Sequence, residues 1–524
     1  MKRRITLIQP LGAPFEPDQA VLSSRNLAIR DLDAARHDRI TLGLDDLPEE
    51  LRTALESSHE LHLRWAAEEP FDAIAPFSSR VSPGLHVHYT PLVSDQPSDA
   101  LCSVLRTVFG ADEEDRNGVD CTSPEKTFTT PPLRSTQFAT STSLQYYTRL
   151  PSLQTLVGFI RRTICHQRQG GSKCHSHADT LLTADSVDVD YDSTSHTLAI
   201  SGFWSSAPTG GWIEDIGKLA ADDKIEIGLL GVEPGATPDE LKAGGLLGSI
   251  GEDKKLMPTM FYFPSRHHSL AEADTYSISF SQPTGLHPEM SISIPHSALK
   301  PPPAPKDSTC ALHTYLTLPS SVFIDQYQVG TNDPLFHQEH NLVAVRAFSG
   351  ETDLEAPEWA VDRWGSNWLL ELATPSGDSA DPSSNWTSTI PMHLRYLDPS
   401  ESGYRSAAVP WPVVFWACST EEEGQTGKNP FDRTNLGYDN HFGPRTIFYQ
   451  LHPASQHLIE ELDVPVLKLK DGEGLFQARN IELGTSVAIV LGFLWIIWRL
   501  ARVMWESGLG ANEVKRPETH EKKE

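Results

Sequence analysis

The chain has 524 residues, 22% charged and 39% hydrophobic, enough apolar content for one large core or two to three smaller ones, which argues against wholesale disorder. A net charge of −27 leaves no basic footprint and argues against nucleic acid as a partner. The 39 prolines and 35 glycines are scattered without a period, which suits many turns between short strands rather than a helical bundle.

In chain order, "MKRRITLIQPLGAPFEPDQA" opens with a basic cluster, but Gln9, Pro10 and Pro14 break its apolar part and no small-residue cleavage site follows. It makes a poor signal peptide. "RITLGL" (39–44), "ELHLRWAA" (60–67) and "GLHVHYTPL" (84–92) alternate apolar and polar residues and predict strands. Between the first two, "LPEELRTALESS" has helical spacing with acids in its first turn, and a second helix, "SDALCSVLRTVFG", starts from Ser98. Residues 111–143 read as a long polar loop, and "LPSLQTLVGFIRRTICHQ" as a third helix. Short strands resume with "DSVDVDYD", "HTLAISGFW", "KIEIGLLGV", "MFYF", "TYSISF" and "MSISI". "KPPPAPKDS" (300–308) reads as an extended polyproline spacer, or as a ligand for proline-recognising domains if it faces the cytosol. Strand signals continue through "ALHTYLTLPSSVFIDQYQV", "NLVAVRAF", "NWLLELAT", "IPMHLRYL", "PWPVVFWAC" and "RTIFYQL", a pattern that predicts a β-sandwich. After Pro453 a polar connector leads to an apolar run.

That run, "LGTSVAIVLGFLWIIWRLARVMW" (483–505), reads as a single transmembrane helix. Its uncharged part, 483–498, spans ~24 Å as a helix, a little short of a hydrocarbon core. Arg499 and Arg502 can snorkel to the headgroups, and Trp495, Trp498 and Trp505 suit an interfacial belt. Gly484, Ala488 and Gly492 recur every four residues, a small-residue stripe suited to close approach of another helix. Arg499, Arg502, Lys515, Arg516, Lys522 and Lys523 follow the span, against Lys468, Lys470 and Arg479 before it. This bias places the short tail in the cytosol and the large domain in the lumen. The weak leader leaves a tail-anchored protein with a cytosolic domain as the rival.

Six cysteines, Cys102, Cys121, Cys165, Cys174, Cys310 and Cys418, are compatible with an oxidising compartment, and their pairing is open. One glycosylation sequon, Asn385-Trp386-Thr387, lies at the end of a Ser/Asp/Pro-rich stretch. "CHQRQGGSKCHSH" offers Cys165, His166, Cys174, His175 and His177, but the spacing departs from structural zinc sites, and a disulfide-closed or free loop is the simpler reading. Asp188, Asp190 and Asp192 share one strand face; metal–nucleotide binding is one possibility, a solvated strand face the ordinary one. His267-His268 among turn residues reads as a surface pair. No G-x-S-x-G, phosphate-binding loop or Rossmann fingerprint is present, so no catalytic residue, metal or cofactor is expected.

"GLHPEMSISIP" (285–295), "LTLPSSVFIDQYQV" (316–329), "TDLEAPEW" (352–359), "IPMHLRYLDP" (390–399) and "PWPVVFWAC" (410–418) occur in order ahead of one C-terminal span. Together they resemble the PIG-X family in its longer fungal form. The resemblance covers roughly residues 270 to 505, while residues 1 to about 260 resemble a fungal N-terminal extension. It implies a non-catalytic subunit of GPI mannosyltransferase I, which adds the first mannose to the GPI precursor on the lumenal side of the endoplasmic reticulum. The role it implies is to stabilise the multi-pass catalytic subunit of the PIG-M type.

The expected architecture is mainly β: a lumenal β-sandwich with a few helices in the N-terminal half, plus one C-terminal transmembrane helix. The expected divisions are an N-terminal extension (1–265), a PIG-X-like sandwich (266–455), a connector (456–482), the span (483–505) and a cytosolic tail (506–524). "IPMHLRYL" and "PWPVVFWAC" read as paired strands. In the first, Met392, Leu394 and Tyr396 would share one face and His393 and Arg395 the other. In the second, Val413, Phe415 and Ala417 would oppose Val414, Trp416 and Cys418. The candidate partner contacts are His393, Arg395 and Trp416, with Gly484, Ala488 and Gly492 in the membrane. The alternatives are a broader lumenal folding factor with several clients, a lumenal hydrolase or transferase, and a tail-anchored adaptor.

Overall fold

The structure is a computed structural model and describes residues 1–10, 17–93, 98–110, 118–132, 143–166, 171–218, 223–281, 285–351, 353–375, 385–420, 436–469 and 478–506. Most of the predicted 111–143 loop, Lys470 and the tail beyond Glu506, with Lys515, Arg516, Lys522 and Lys523, lie outside the described residues.

The chain is mainly β. Its largest element is a ten-stranded sheet, in the order Met257–Pro264, Glu240–Ser249, Lys224–Pro234, Lys2–Gln9, Ala35–Gly43, Thr197–Trp204, Ser186–Asp192, Ser58–Ala66, Gly84–Pro91 and Leu144–Thr148. Lys2–Gln9 runs parallel to Lys224–Pro234 and antiparallel to Ala35–Gly43. The basic N-terminal cluster is therefore built into the middle of the sheet, where alternation sends Ile5 and Leu7 into one core and Ile8 into another.

Both faces of this sheet are covered. On one lie the helices Asp99–Phe109 and Gln154–Phe159 and a three-stranded sheet formed by Trp212–Gly217, Asn26–Leu32 and Ala20–Leu22. The first helix follows its sequence signals: Ser98 Oγ accepts Ala100 N–H, and Leu101, Leu105 and Val108 line the buried face. The predicted third helix switches to a π-helical turn over Ile160–Ile164.

On the other face lies a six-stranded sheet from the second half of the chain. Its order is His267–Ser269, Ile447–Gln450, Val413–Thr420, Ser308–Pro319, Gly365–Leu372 and Leu342–Gly350. Val413, Phe415 and Ala417 point from it into a core shared with Ile8, Phe71, Phe77, Phe203 and Leu230. Phe415 stacks on Tyr438 at 4.0 Å between ring centroids. Polar ties cross the same junction: Arg80 N donates to Gln450 Oε1, and Asn367 Nδ2 to Gln145 Oε1. The sheets thus draw their strands from opposite sides of residue 265, while Met1–Leu397 and Ser406–Val464 form one compact unit. A four-stranded sheet, Trp386–Pro391, Glu289–Ile294, Thr275–Phe280 and His452–Pro453, completes it.

Within the stretch read as a connector, Ile459–Pro465 forms a strand that pairs with Tyr404–Pro410. The smaller unit comprises Asp398–Arg405 and Pro465–Glu524. It contains the helix Ala478–Glu506, which is long and apolar enough to cross a membrane. At 29 residues the helix measures roughly 43 Å, extending beyond its uncharged segment through turns that carry Arg479, Glu482, Arg499, Arg502 and Glu506.

The N-terminal sheet carries a buried charge network. Arg3 donates to both carboxylate oxygens of Asp38 (2.9 and 2.6 Å), and Arg36 bridges Asp38 (2.9 Å) and Glu214. Burial alone would push the Asp38 carboxyl up, but Arg3 and then Arg36 outweigh it and hold it well below the usual carboxylate range. A carboxyl lowered by folding contributes stability that is complete above its unfolded value, near 4, and is lost as pH falls below it. Asp38→Asn leaves the buried Arg3 guanidinium without its carboxylate and Arg36 with Glu214 alone, and is expected to cost about 3–5 kcal/mol. Urea-dependent proteolysis of the detergent-solubilised full chain checks this, and the variant should also lose part of the acid sensitivity between about pH 4 and 2.

Candidate functional site

Four of the five sequence motifs meet at one surface. Its centre is the short strand His393–Leu394, which pairs antiparallel with Val322–Phe323. On its other side Met392 N donates to Pro288 O (2.9 Å) and Leu394 N to Leu286 O (3.0 Å). Arg395 N donates to Ser321 O, and Tyr396 O accepts Glu358 N–H (3.0 Å). Segments 285–290, 321–329, 353–359 and 390–396 are thereby stitched together.

His393 stacks on Phe323 at 5.2 Å, with its Nε2 3.3 Å from Gln328 Oε1 and its Nδ1 3.0 Å from His287 Nδ1. If Nε2–H donates to the glutamine oxygen, His393 Nδ1 keeps its lone pair and His287 Nδ1–H donates to it. Burial and then the neighbouring His287 lower the His393 pKa, and Asp325 opposes them.

Arg395 is only 3% exposed. Its guanidinium lies 4.5 Å from the Phe323 ring centroid and donates to Ala356 O at 2.7 Å, so it clamps the 353–359 loop. That attachment turns Arg395 inward and Tyr396 outward, breaking the alternation expected for "MHLRYL" after Leu394. The loop is shaped further by Asp353 Oδ1, which accepts Glu355 N–H and Ala356 N–H. Asp325 caps the turn Gln326–Val329 through Tyr327 N–H (2.8 Å) and Gln328 N–H. These turns hold Tyr327 (75% exposed) and Trp359 (59%) in water, and Tyr396 (64%), just after the strand, is exposed as well.

The fifth motif belongs to the core. "IPMHLRYL" and "PWPVVFWAC" do not pair with each other; Val413–Thr420 runs between Ser308–Pro319 and Ile447–Gln450. Trp416 is 1% exposed and donates its indole N–H to Ala298 O (3.3 Å), which leaves it no surface for a partner. Cys418 lies directly opposite Cys310 and bonds to it; the other pairs are Cys102–Cys121 and Cys165–Cys174. Cys165 and Cys174 are therefore a disulfide, not metal ligands. On the helix Ala478–Glu506, a Cβ at Gly484 or Gly492 would meet open space and Ala488 is exposed, so among the described residues of its unit nothing covers the stripe.

Other candidates are absorbed by packing. Asp188 is buried and accepts from Arg64 Nε (2.6 Å), and Asp190 pairs with His62; the solvated face expected for Asp188 is wrong because this face of the sheet is covered. His267 is buried against Phe448, and His268 stacks on Tyr449, so neither forms a free surface pair. A cavity of ≈ 320 Å³ is lined by Arg3, Asp38, His177 and Glu214 at its polar end, but Arg3 and Asp38 are committed to each other and Glu214 to Arg36. Among the described residues no three His, Cys, Asp or Glu side chains are grouped to hold a metal ion. Asn385 is exposed at the start of the edge strand Trp386–Pro391, and the rest of its Ser/Asp/Pro-rich stretch, 376–384, lies outside the described residues.

Fold and surface together define a mainly β protein with one helix fit to cross a membrane and a built aromatic surface on its β unit. The chain belongs to the PIG-X / PBN1 family. The family profile matches residues 283–501. The chain is similar to the protein pbn1 of Emericella nidulans, 53% identical over the full length of both. It is also similar to pbn1 of Neurospora crassa, 39% identical over 97% of this chain and 96% of that one. PBN1 of Yarrowia lipolytica is 27% identical over 58% and 59%. Among solved structures, the C-terminal domain of the Streptococcus agalactiae AgI/II polypeptide BspA aligns over 88% of this chain and 100% of its own at 6% identity; its TM-score of 0.12 carries no information about the fold.

The His pair is directly testable. His393 should titrate below the ordinary value of about 6.5, and His287→Ala should raise it by removing the competing cation. Its contribution to stability is present above about 6.5 and fades as pH falls through the lowered pKa. Proton NMR of the ring checks both, and an unchanged value in the variant would separate the two imidazoles.

Proposed function

We propose that the protein is the non-catalytic membrane subunit that stabilises the catalytic subunit of GPI mannosyltransferase I, which adds the first mannose in GPI-anchor biosynthesis. The β unit lies in the lumen of the endoplasmic reticulum, and the helix Ala478–Glu506 anchors it with the tail in the cytosol. The observation that carries this reading is the convergence of four family-like motifs on a surface that exposes the aromatic rings of Tyr327, Trp359 and Tyr396. Exposed aromatic rings on ordered turns suit recognition of a protein partner.

Three further features support it. The six cysteines form three disulfides, which suits an oxidising compartment. Asn385 is exposed, as glycosylation requires. The uncovered Gly484/Ala488/Gly492 stripe offers a membrane-embedded partner a close helix contact.

Depleting the protein should lower both the abundance of the catalytic subunit and mannosylation of the GPI precursor, while unrelated lumenal glycoproteins keep their levels. If the catalytic subunit and its product are unchanged, the reading fails. Topology has its own check: endoglycosidase treatment should shift the mobility of the native chain and leave Asn385→Gln unshifted. Protease digestion of the β unit in sealed microsomes would overturn the lumenal placement.

A further inference from the structure

We infer that the surface formed by Tyr327, Trp359 and Tyr396 docks a basic, apolar-bearing polypeptide segment of the protein that this chain stabilises. The inference rests on the proposed function and specifies where and by what chemistry the partner is held.

The three aromatics sit on segments that hydrogen bonds join: Glu358, next to Trp359, donates its N–H to Tyr396 O, and Gln328, next to Tyr327, meets His393, three residues before Tyr396. Tyr327 and Trp359 are held on turns fixed by side-chain hydrogen bonds, Asp325 beneath Tyr327 and Asp353 with the Arg395 clamp beneath Trp359, while Tyr396 is tied by its backbone to Glu358. Large rings kept in water on ordered turns contribute nothing to this chain's own core. They lose little conformational freedom on binding, which is what makes Tyr and Trp effective anchors at interfaces.

Charge selects the occupant. Segments 321–336 and 353–362 carry six carboxylates, Asp325, Asp333, Asp353, Glu355, Glu358 and Asp362, and no Lys or Arg. Arg395 is buried beneath the surface, and Arg363 at its edge donates to Gly350 O. A second copy of this chain would set like charges against each other, and an anionic membrane surface would be repelled. A segment with Arg or Lys beside an apolar side chain satisfies both features, with its cation over an exposed ring or at the acidic rim and its apolar group against Trp359.

Two full-length variants test this in cells lacking the native chain: Tyr327→Ser/Trp359→Ser/Tyr396→Ser, which removes the rings, and Glu355→Lys/Asp362→Lys, which reverses the rim. Each should retain the glycan shift and protease resistance of the folded chain, yet recover the catalytic subunit in co-purification at roughly tenfold lower yield or less. Native-like recovery by both variants, in cells where depletion of the whole chain still lowers the catalytic subunit, would overturn the docking surface and leave the proposed function standing. An unchanged catalytic subunit on depletion would instead sink that function. A photo-crosslinker placed at position 359 discriminates the occupants: an adduct with a Lys- or Arg-containing segment of the catalytic subunit supports the inference. An adduct with lipid or with a second copy of this chain overturns it.

Discussion

The stacking of Phe415 on Tyr438 sits where the six-stranded sheet closes the second face of the ten-stranded one, and the rest of the β unit depends on that closure. A sheet with Ile5, Leu7 and Val87 on one face and Ile8, Phe203 and Leu230 on the other cannot leave either face in water. The helices and the three-stranded sheet cover the first. The second is covered in large part by Val413, Phe415 and Ala417, which arrive from about 180 to 410 residues later in the chain. The N-terminal half and the family-matched half are therefore one folding problem, although their sheets exchange no strands.

The same covering sheet positions the candidate site. Ser308–Pro319 is held between Val413–Thr420 and Gly365–Leu372, and the chain leaving it forms Val322–Phe323, the partner of His393–Leu394. Rigidity passes from a disulfide-linked, fully paired strand to the turns that carry Tyr327 and Trp359. Arg395 does the local work: its planar cation covers Phe323 and reaches Ala356 O, a combination that a lysine could not reproduce. The site is thus a packed layer with exposed rings on top.

Some of this was legible from residues alone. The membrane helix shows itself as an uninterrupted apolar run, and the helix from Asp99 shows itself through the Ser98 cap and its apolar spacing. The alternation of Val413, Phe415 and Ala417 against Val414 and Trp416 was likewise readable. Other segments misled for a consistent reason. "KRRITLIQ" was read only as a basic cluster ahead of a broken apolar part; its place as a strand in the middle of the sheet depends on Arg3 being buried against Asp38, 35 residues away. Asp188 looked like a surface acid, yet it balances Arg64 beneath a second layer. His393 and Arg395 were named as candidate partner contacts, yet Arg395 is 3% exposed and clamps the 353–359 loop from beneath, and the exposed rings around them, Trp359 and Tyr327, were not named; an aromatic in a turn-rich acidic stretch was the available signal.

The sequence by itself determined the class: mainly β, acidic, with one apolar helix, and with motifs whose order identifies the family. These are properties of local pattern and composition, and they survive without knowing what touches what. Tertiary structure alone decided the disulfide pairs, the burial of charged residues and the meeting of four motifs at one surface. Cys310 and Cys418 are 108 residues apart and bond because antiparallel register sets them directly opposite. Whether a face is wet or dry, and whether a ring packs a core or waits for a partner, depends on the layer laid over it, and that layer is chosen by the whole fold.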